Sequence, residues 1–106
     1  MFRSFIGPID QLLGHWVQEN DGAAVTCAPT SHGDLQCLIE SAHPSCLMGS
    51  GKHEYFISGT RITWKKQKEI CGTLNNQKDR ITWTTGNTWI KQGNILNNHL
   101  LILTLY

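Results

Sequence analysis

The chain has 106 residues, of which 40% are hydrophobic and 16% are charged, and its formal net charge at pH 7 is +1. This length predicts one domain, residues 1–106, and this composition excludes a disordered chain because the apolar surface can offset the entropy lost on folding. No run of about 18 apolar residues occurs, which excludes a membrane-spanning helix.

The charges are divided unevenly along the chain. Residues 1–51 contain one basic and five acidic residues, a balance of −4, whereas residues 52–91 contain eight basic and three acidic residues, a balance of +5. A basic half can attract an acidic partner, but lysines on strand edges also discourage pairing between sheets. Both interpretations stay open at this point.

The N-terminus and the absence of glycosylation acceptors favour a location inside the cell. Residues 1–8 contain Arg3 but no sustained apolar core, so they do not predict a signal peptide. No Asn-x-Ser/Thr sequence is present.

The first 40 residues predict one helical turn and three strands. Phe5 to Leu13 is typical of a single turn, since proline is tolerated at a helix start and Gly14 can end it. Turn-forming residues then separate short alternating segments. The predicted strands are His15–Glu19, Ala23–Cys27 and Asp34–Glu40.

Ser41 to Gly51 shows no periodicity and contains three glycine or proline positions and one cysteine. It predicts the longest loop of the chain. Because binding residues often lie on loops, this segment is the expected place for a mobile binding element.

The tetrapeptide Arg-Ile-Thr-Trp occurs twice, at residues 61–64 and 80–83. Each copy alternates polar and apolar residues, which predicts strands that point isoleucine and tryptophan into a core. Between the copies, Ile70–Leu74 is a further predicted strand that turns at Asn75 to Asp79.

Two hairpins contain these repeats. His53 to Trp64 predicts a hairpin about Ser58-Gly59, with Tyr55 and Trp64 on the same face. The hairpin from Trp83 to Trp89 has two possible registers. A Gly86-Asn87 loop puts the two tryptophans on opposite faces, whereas a loop of residues 85–87 puts them on the same face.

The C-terminal run Leu100 to Tyr106 is apolar on both faces of a strand. It predicts a strand buried on both sides, a contact in a homo-oligomer, or an aggregation-prone tail.

Together, these elements predict an all-β domain, a small antiparallel meander barrel of about eight short strands with one N-terminal helical turn. A two-layer β-sandwich is the alternative. Closure into a barrel is preferred because it removes exposed strand edges.

The segment from Phe5 to Trp16 resembles the opening of lipocalins and fatty-acid-binding proteins, where a helical turn leads into Gly-x-Trp on the first strand, here Gly14 to Trp16. The resemblance implies an up-and-down barrel that carries a small apolar ligand. It also implies that the tryptophan closes one end of the barrel and that a late basic side chain, for which Lys91 is the candidate, packs across it.

The four cysteines, at positions 27, 37, 46 and 71, contain no Cys-x-x-Cys pair. Buried free thiols are the first expectation, with one or two disulfides or a zinc site that uses Cys37, His43 and Cys46 as alternatives. His43 and Cys46 could also form a thiol nucleophile with its base, but no third residue to orient the histidine is evident. We therefore predict no cofactor and favour a protein without catalysis.

Aromatic and basic residues alternate in the second half of the chain. Core packing is expected for Trp64 and Trp83, which are in phase with isoleucines, whereas Trp89 is expected to be partly exposed. The predicted function is a non-catalytic module that binds a protein partner or small ligand through this half; single-stranded nucleic-acid binding and a lipocalin-like carrier are the alternatives. The candidate binding residues are Tyr55, Arg61, Trp64, Lys65, Arg80, Trp83, Trp89 and Lys91.

Overall fold

A computed structural model of the chain describes residues 9–92. The predictions for Phe5 to Pro8 and for the run Leu100 to Tyr106 lie outside the described residues. Within residues 9–92, one 3-10 turn, Ile9–Gln11, precedes the strands, and no helix is long and apolar enough to cross a membrane. The strands are β1 (Gly14–Gln18), β2 (Ala24–Pro29), β3 (Leu35–Glu40), β4 (Gly51–Ser58), β5 (Arg61–Trp64), β6 (Cys71–Leu74), β7 (Arg80–Trp83) and β8 (Thr88–Lys91).

The eight strands form a closed antiparallel barrel in which each strand pairs with the next one in sequence and β8 pairs with β1. Trp16 of β1 stands opposite Val25 of β2 and opposite Lys91 of β8, which closes the sheet. The predicted meander barrel is therefore confirmed and the sandwich is not formed. Closure leaves no free edge among the described strands.

The barrel interior is filled by the inward residues of the alternating strands. In both Arg-Ile-Thr-Trp copies the isoleucine and the tryptophan are buried, as predicted, while the arginine is exposed. Tyr55, Trp83 and Trp89 form an aromatic cluster, with the Trp83 and Trp89 ring centroids 4.8 Å apart. A core of this kind stabilises a small domain through large buried apolar area.

Gly72 of β6 makes room for one of these rings. It stands opposite Trp83, and a Cβ atom built on it would lie 2.8 Å from a methyl group of Ile81 and 3.0 Å from two ring atoms of Trp83. The absence of a side chain at this inward position allows the indole to lie directly against the strand.

The hairpin between β4 and β5 differs from the prediction by one residue in its loop. Ser58 pairs with Arg61, so the loop is Gly59-Thr60 and not Ser58-Gly59. Gly59 has a positive φ of 62°, which glycine adopts at little cost. The faces are unchanged, and Tyr55 stands opposite Trp64.

The β7–β8 hairpin takes neither predicted loop. Ile81 stands opposite Trp89, and the Trp83 N–H donates to the Asn87 carbonyl at 2.9 Å, which leaves residues 84–86 as the loop. The positive φ of Gly86, 92°, suits this turn. Trp83 and Trp89 consequently point to the same side, as the three-residue alternative implied.

The cysteines do not all remain thiols. Cys27 and Cys37 stand directly opposite each other on β2 and β3 and form a disulfide. Cys46 and Cys71 are free and half-buried. The expectation of free thiols is thus confirmed for two cysteines and wrong for the other two, because the β2–β3 register brings that pair together.

Candidate functional site at the barrel mouth

The four aromatic residues of the predicted binding face point into the barrel. Tyr55 and Trp89 are 0% exposed, Trp83 is 2% exposed and Trp64 is 3% exposed. Core packing of Trp64 and Trp83 is therefore confirmed. The expected exposure of Trp89 is wrong, because the observed hairpin register turns its ring inward beside Trp83.

The basic residues of the same prediction lie elsewhere. Arg61 and Arg80 are exposed on the outer wall, where Arg80 forms an ion pair of 3.7 Å with Glu19. Lys65 lies 2.6 Å from Asp34 and 3.3 Å from Glu54, and its pKa is raised, first by the hydrogen bond to Asp34. The structure thus separates the aromatic and the basic members of the predicted face.

Lys91 closes one end of the barrel. Its ammonium lies 4.8 Å from the centre of the Trp16 ring and donates to the carbonyls of Leu13 at 2.6 Å and Gln11 at 3.2 Å. Burial lowers the pKa of Lys91. The Lys91 side chain thus packs across the first-strand tryptophan and covers this end of the barrel.

Phe56 is an exposed aromatic residue that the sequence did not single out. It is 43% exposed on the outer wall, with the ammonium groups of Lys65 and Lys68 at 4.9 Å and 5.8 Å from its ring centre. Its position in β4, between the inward residues Tyr55 and Ile57, is the period-2 signal that could have identified it.

The opposite end of the barrel holds an open pocket of about 660 Å³, which we call the mouth pocket. Three loops form it, namely β1–β2, β3–β4 and β7–β8. The β3–β4 loop, residues 41–50, is the segment in which a binding element was expected. The lining residues are Asn20, Asp21, His43, Ser45, Cys46, Leu47, Met48, Thr85 and Asn87.

Asp21 ties two of these loops together. Its carboxylate accepts hydrogen bonds from the backbone N–H groups of Ala23 at 2.9 Å and His43 at 2.8 Å, and from the Cys46 thiol at 3.2 Å. Burial acts to raise the pKa of Asp21, but the hydrogen bonds, led by the one from His43, outweigh it and lower that pKa from 3.8 to about 2. The carboxylate is therefore ionised and structural near neutral pH.

Gln18 extends this network into the core. Its side chain is 0% exposed, and its Nε2 donates to both Asp21 oxygens at 3.1 and 3.2 Å. Its Oε1 accepts from Asn87 at 2.8 Å and from the Trp89 indole at 3.1 Å. The buried amide thus joins all three mouth loops and fixes the shape of the pocket.

The mouth does not provide an activated thiol. Burial, followed by the hydrogen bond and negative charge of Asp21, raises the pKa of Cys46, whereas thiol catalysis needs a lowered pKa. His43 Nδ1 accepts from the backbone N–H of Ser45 at 3.1 Å, which leaves Nε2 to carry the proton in the neutral ring. These contacts do not activate Cys46 as a nucleophile.

The zinc alternative loses a ligand, because Cys37 is part of the disulfide. Across residues 9–92, no group of three or more histidine, cysteine or acidic side chains is placed to hold a metal ion.

The mouth pocket combines an apolar lip with polar groups. Leu47 is 56% exposed at the rim, Met48 is 6% exposed beneath it, and the side chains of Asn20, His43 and Thr85 add hydrogen-bonding groups. Such a mixture is typical of sites that hold small molecules. The pocket as a whole could not be predicted from the sequence, because its residues come from three segments far apart in the chain.

Comparison of the chain with protein-family models, with curated proteins and with solved structures finds no match.

Proposed function

We propose that the protein is a non-catalytic binding module that holds a small, mostly apolar molecule in the mouth pocket. The observation that carries this proposal is an open pocket of about 660 Å³ at one end of a barrel whose other end is closed by Trp16 and Lys91. That volume lies within the range of roughly 300 to 1,000 Å³ common for small-molecule sites.

The chemistry of the rim supports the same proposal. Leu47 exposes a large apolar side chain at the rim, where it can contact the apolar part of a bound molecule. The Asp21 and Gln18 network holds the loops in place before binding, which reduces the entropy cost of association.

A relationship to lipocalins and fatty-acid-binding proteins is part of this proposal. It is supported by the eight-stranded meander barrel, by the 3-10 turn before Gly14 to Trp16, and by the position of Lys91 over the Trp16 ring. In contrast to a hollow carrier, this barrel has its interior occupied by Tyr55, Trp83 and Trp89, so the ligand site lies at the mouth.

The geometry gives less support to the other functions predicted from the sequence. Stacking on nucleic-acid bases needs exposed rings beside unpaired cations. Phe56 offers one exposed ring, and of the two lysines beside it Lys65 is held by Asp34 and Glu54, which leaves Lys68 as the available cation. A protein partner on this outer wall stays a prediction.

The experiment is a fragment screen by ligand-observed NMR, followed by affinity measurements on two matched variants. Leu47→Ser should weaken binding of the hits by about ten-fold, because it removes an apolar contact worth roughly 1.5 kcal/mol. Phe56→Ser, which removes the other large exposed apolar side chain of residues 9–92, should leave their affinity unchanged. A screen without hits, or hits lost in Phe56→Ser and kept in Leu47→Ser, would contradict the proposal.

A further inference from the structure

Met48 separates the mouth pocket from the aromatic cluster. It lines the pocket but is only 6% exposed, and the Tyr55 hydroxyl donates a hydrogen bond to its sulfur at 3.1 Å. A thioether is a weak acceptor, and Tyr55 is 0% exposed. Its buried hydroxyl therefore lacks a strong hydrogen-bond acceptor among the described residues. Burial raises the pKa of Tyr55, which keeps it a neutral donor.

Trp83 provides a second donor in the same cluster. Its indole Nε1 is buried and has no hydrogen-bond partner among residues 9–92. The benzene-ring atoms Cδ2 and Cε3 face Gly72, and the ring centre lies 5.5 Å from that of Tyr55. A buried N–H without an acceptor costs free energy, and such a group in a folded protein calls for an explanation.

Met48 can leave this position without unfolding the barrel. Methionine is unbranched and has three rotatable side-chain bonds, so it changes shape easily. The residue belongs to the β3–β4 loop and to none of the strands, so no strand pairing depends on it. Movement of this side chain would open the mouth pocket towards Tyr55.

We infer that Met48 is a displaceable plug over a deeper part of the ligand site, and that the ligand is a neutral, mostly apolar molecule whose carbonyl oxygen accepts hydrogen bonds from Tyr55 and Trp83. This inference rests on the proposed function of the mouth pocket. It explains two observations: the buried Tyr55 hydroxyl donates to a weak acceptor, and the buried Trp83 indole N–H has no acceptor among residues 9–92.

The electrostatics of the site select a neutral ligand. Both donors are uncharged, the ionised Asp21 lies in the pocket above them, and Lys91 is used at the opposite end of the barrel. A carboxylate buried beside two neutral donors would lack a compensating positive charge, and its desolvation would be costly. A ketone, ester or amide oxygen avoids this cost.

The test compares three small probes of similar shape, namely acetophenone, ethylbenzene and benzoate. Acetophenone should bind about three- to ten-fold more tightly than ethylbenzene, the worth of one or two neutral hydrogen bonds, and benzoate should bind less tightly than acetophenone. In Tyr55→Phe the affinity for acetophenone relative to that for ethylbenzene should fall, because the hydroxyl that donates to the carbonyl oxygen is lost.

Two NMR signals report directly on the plug and on the donor. The chain contains two methionines, Met1 and Met48, so a methyl-labelled methionine spectrum is simple to assign. Acetophenone should move the Met48 methyl signal and shift the Trp83 indole N–H signal downfield, both with the same saturation curve. Ethylbenzene should move the methyl signal only.

The outcomes separate this inference from the proposed function. If acetophenone shifts the amide signals of Leu47 and Thr85 but leaves the Met48 methyl and Trp83 indole signals unchanged, the plug is overturned and the mouth pocket stands. If all three probes displace Met48 with equal affinity, the carbonyl preference is overturned. If no probe shifts any signal of the mouth loops and the fragment screen is also empty, the proposed function itself fails.

Discussion

At the scale of single residues, the barrel depends on a few positions where one side chain decides whether the core can close. Gly72 is the clearest of them, because a Cβ atom there would lie 2.8 Å from a methyl group of Ile81 and 3.0 Å from the Trp83 indole. Asp21 has the same importance at the mouth, where one carboxylate receives donors from two loops. Each position makes a separate prediction.

Gly72→Ala should lower the free energy of unfolding by roughly 1–3 kcal/mol, the usual cost of overpacking a core. The measurement is a urea melt followed by tryptophan fluorescence. Gly49→Ala is the matched control, since a Cβ atom there meets nothing within 4 Å and Gly49 has no positive φ. Equal stabilities for the two variants would show that Trp83 does not pack against β6.

The Asp21 carboxylate predicts a loss of stability in acid. Its pKa in the folded protein is about 2, below the ordinary value of 3.8, so its contribution is present above about pH 4 and is lost as the pH falls towards 2. After screening by solvent we expect a contribution of about 1 kcal/mol. The difference in unfolding free energy between the wild type and Asp21→Asn should therefore shrink from pH 5 to pH 2, and a constant difference would contradict the network.

At the scale of elements, the strands were predictable from the sequence and the loop centres were not. Period-2 alternation locates β5 and β7, where the repeated tetrapeptide buries isoleucine and tryptophan. The loop centre depends on which single residue takes a positive φ, and Gly59 and Gly86 do so here. That choice moved the β4–β5 loop by one residue and turned Trp89 into the core.

The β2–β3 pair shows what a correct register would have revealed. Cys27 and Cys37 lie symmetrically about His32, the middle of the connecting loop, so a hairpin centred there sets them face to face. The ten-residue separation of the two cysteines is compatible with this pairing. The pairing could be predicted only if the centre of the loop was also known.

The disulfide predicts a simple thiol count. Of the four cysteines, two should react with a thiol reagent in denaturant without reductant, and all four should react after reduction. The double variant with Cys46→Ser and Cys71→Ser should contain no reactive thiol before reduction. Four reactive thiols before reduction would contradict the pairing of Cys27 with Cys37.

At the scale of the whole molecule, the two ends of the barrel differ in kind. One end is closed by Trp16, the 3-10 turn and Lys91, and the other is open, with an apolar lip, polar groups and three loops joined by Asp21 and Gln18. The meander was predictable because each strand follows its partner in sequence, and closure was preferred because it removes exposed strand edges. The mouth pocket was not, since residues 20–21, 43–48 and 85–87 meet only when the sheet closes.

Because the two ends differ, the proposed binding site lies at the mouth and not on the face predicted from the sequence. The sequence suggested a binding face of aromatic and basic residues, but barrel closure turns the aromatic rings inward and leaves the arginines on the outer wall. The proposed binding site is therefore the mouth, with Leu47 at its rim and the more buried Met48 beside it.

The most direct test is a map of backbone amide shifts in the ¹H–¹⁵N spectrum when the tightest fragment of the screen is added to saturation. We expect the changes to concentrate in the three mouth loops, residues 19–23, 41–50 and 84–87, and to be small around Phe56 on the outer wall. Changes that concentrate on the outer wall around Phe56 and Lys65 to Lys68, with the mouth loops unaffected, would contradict the account.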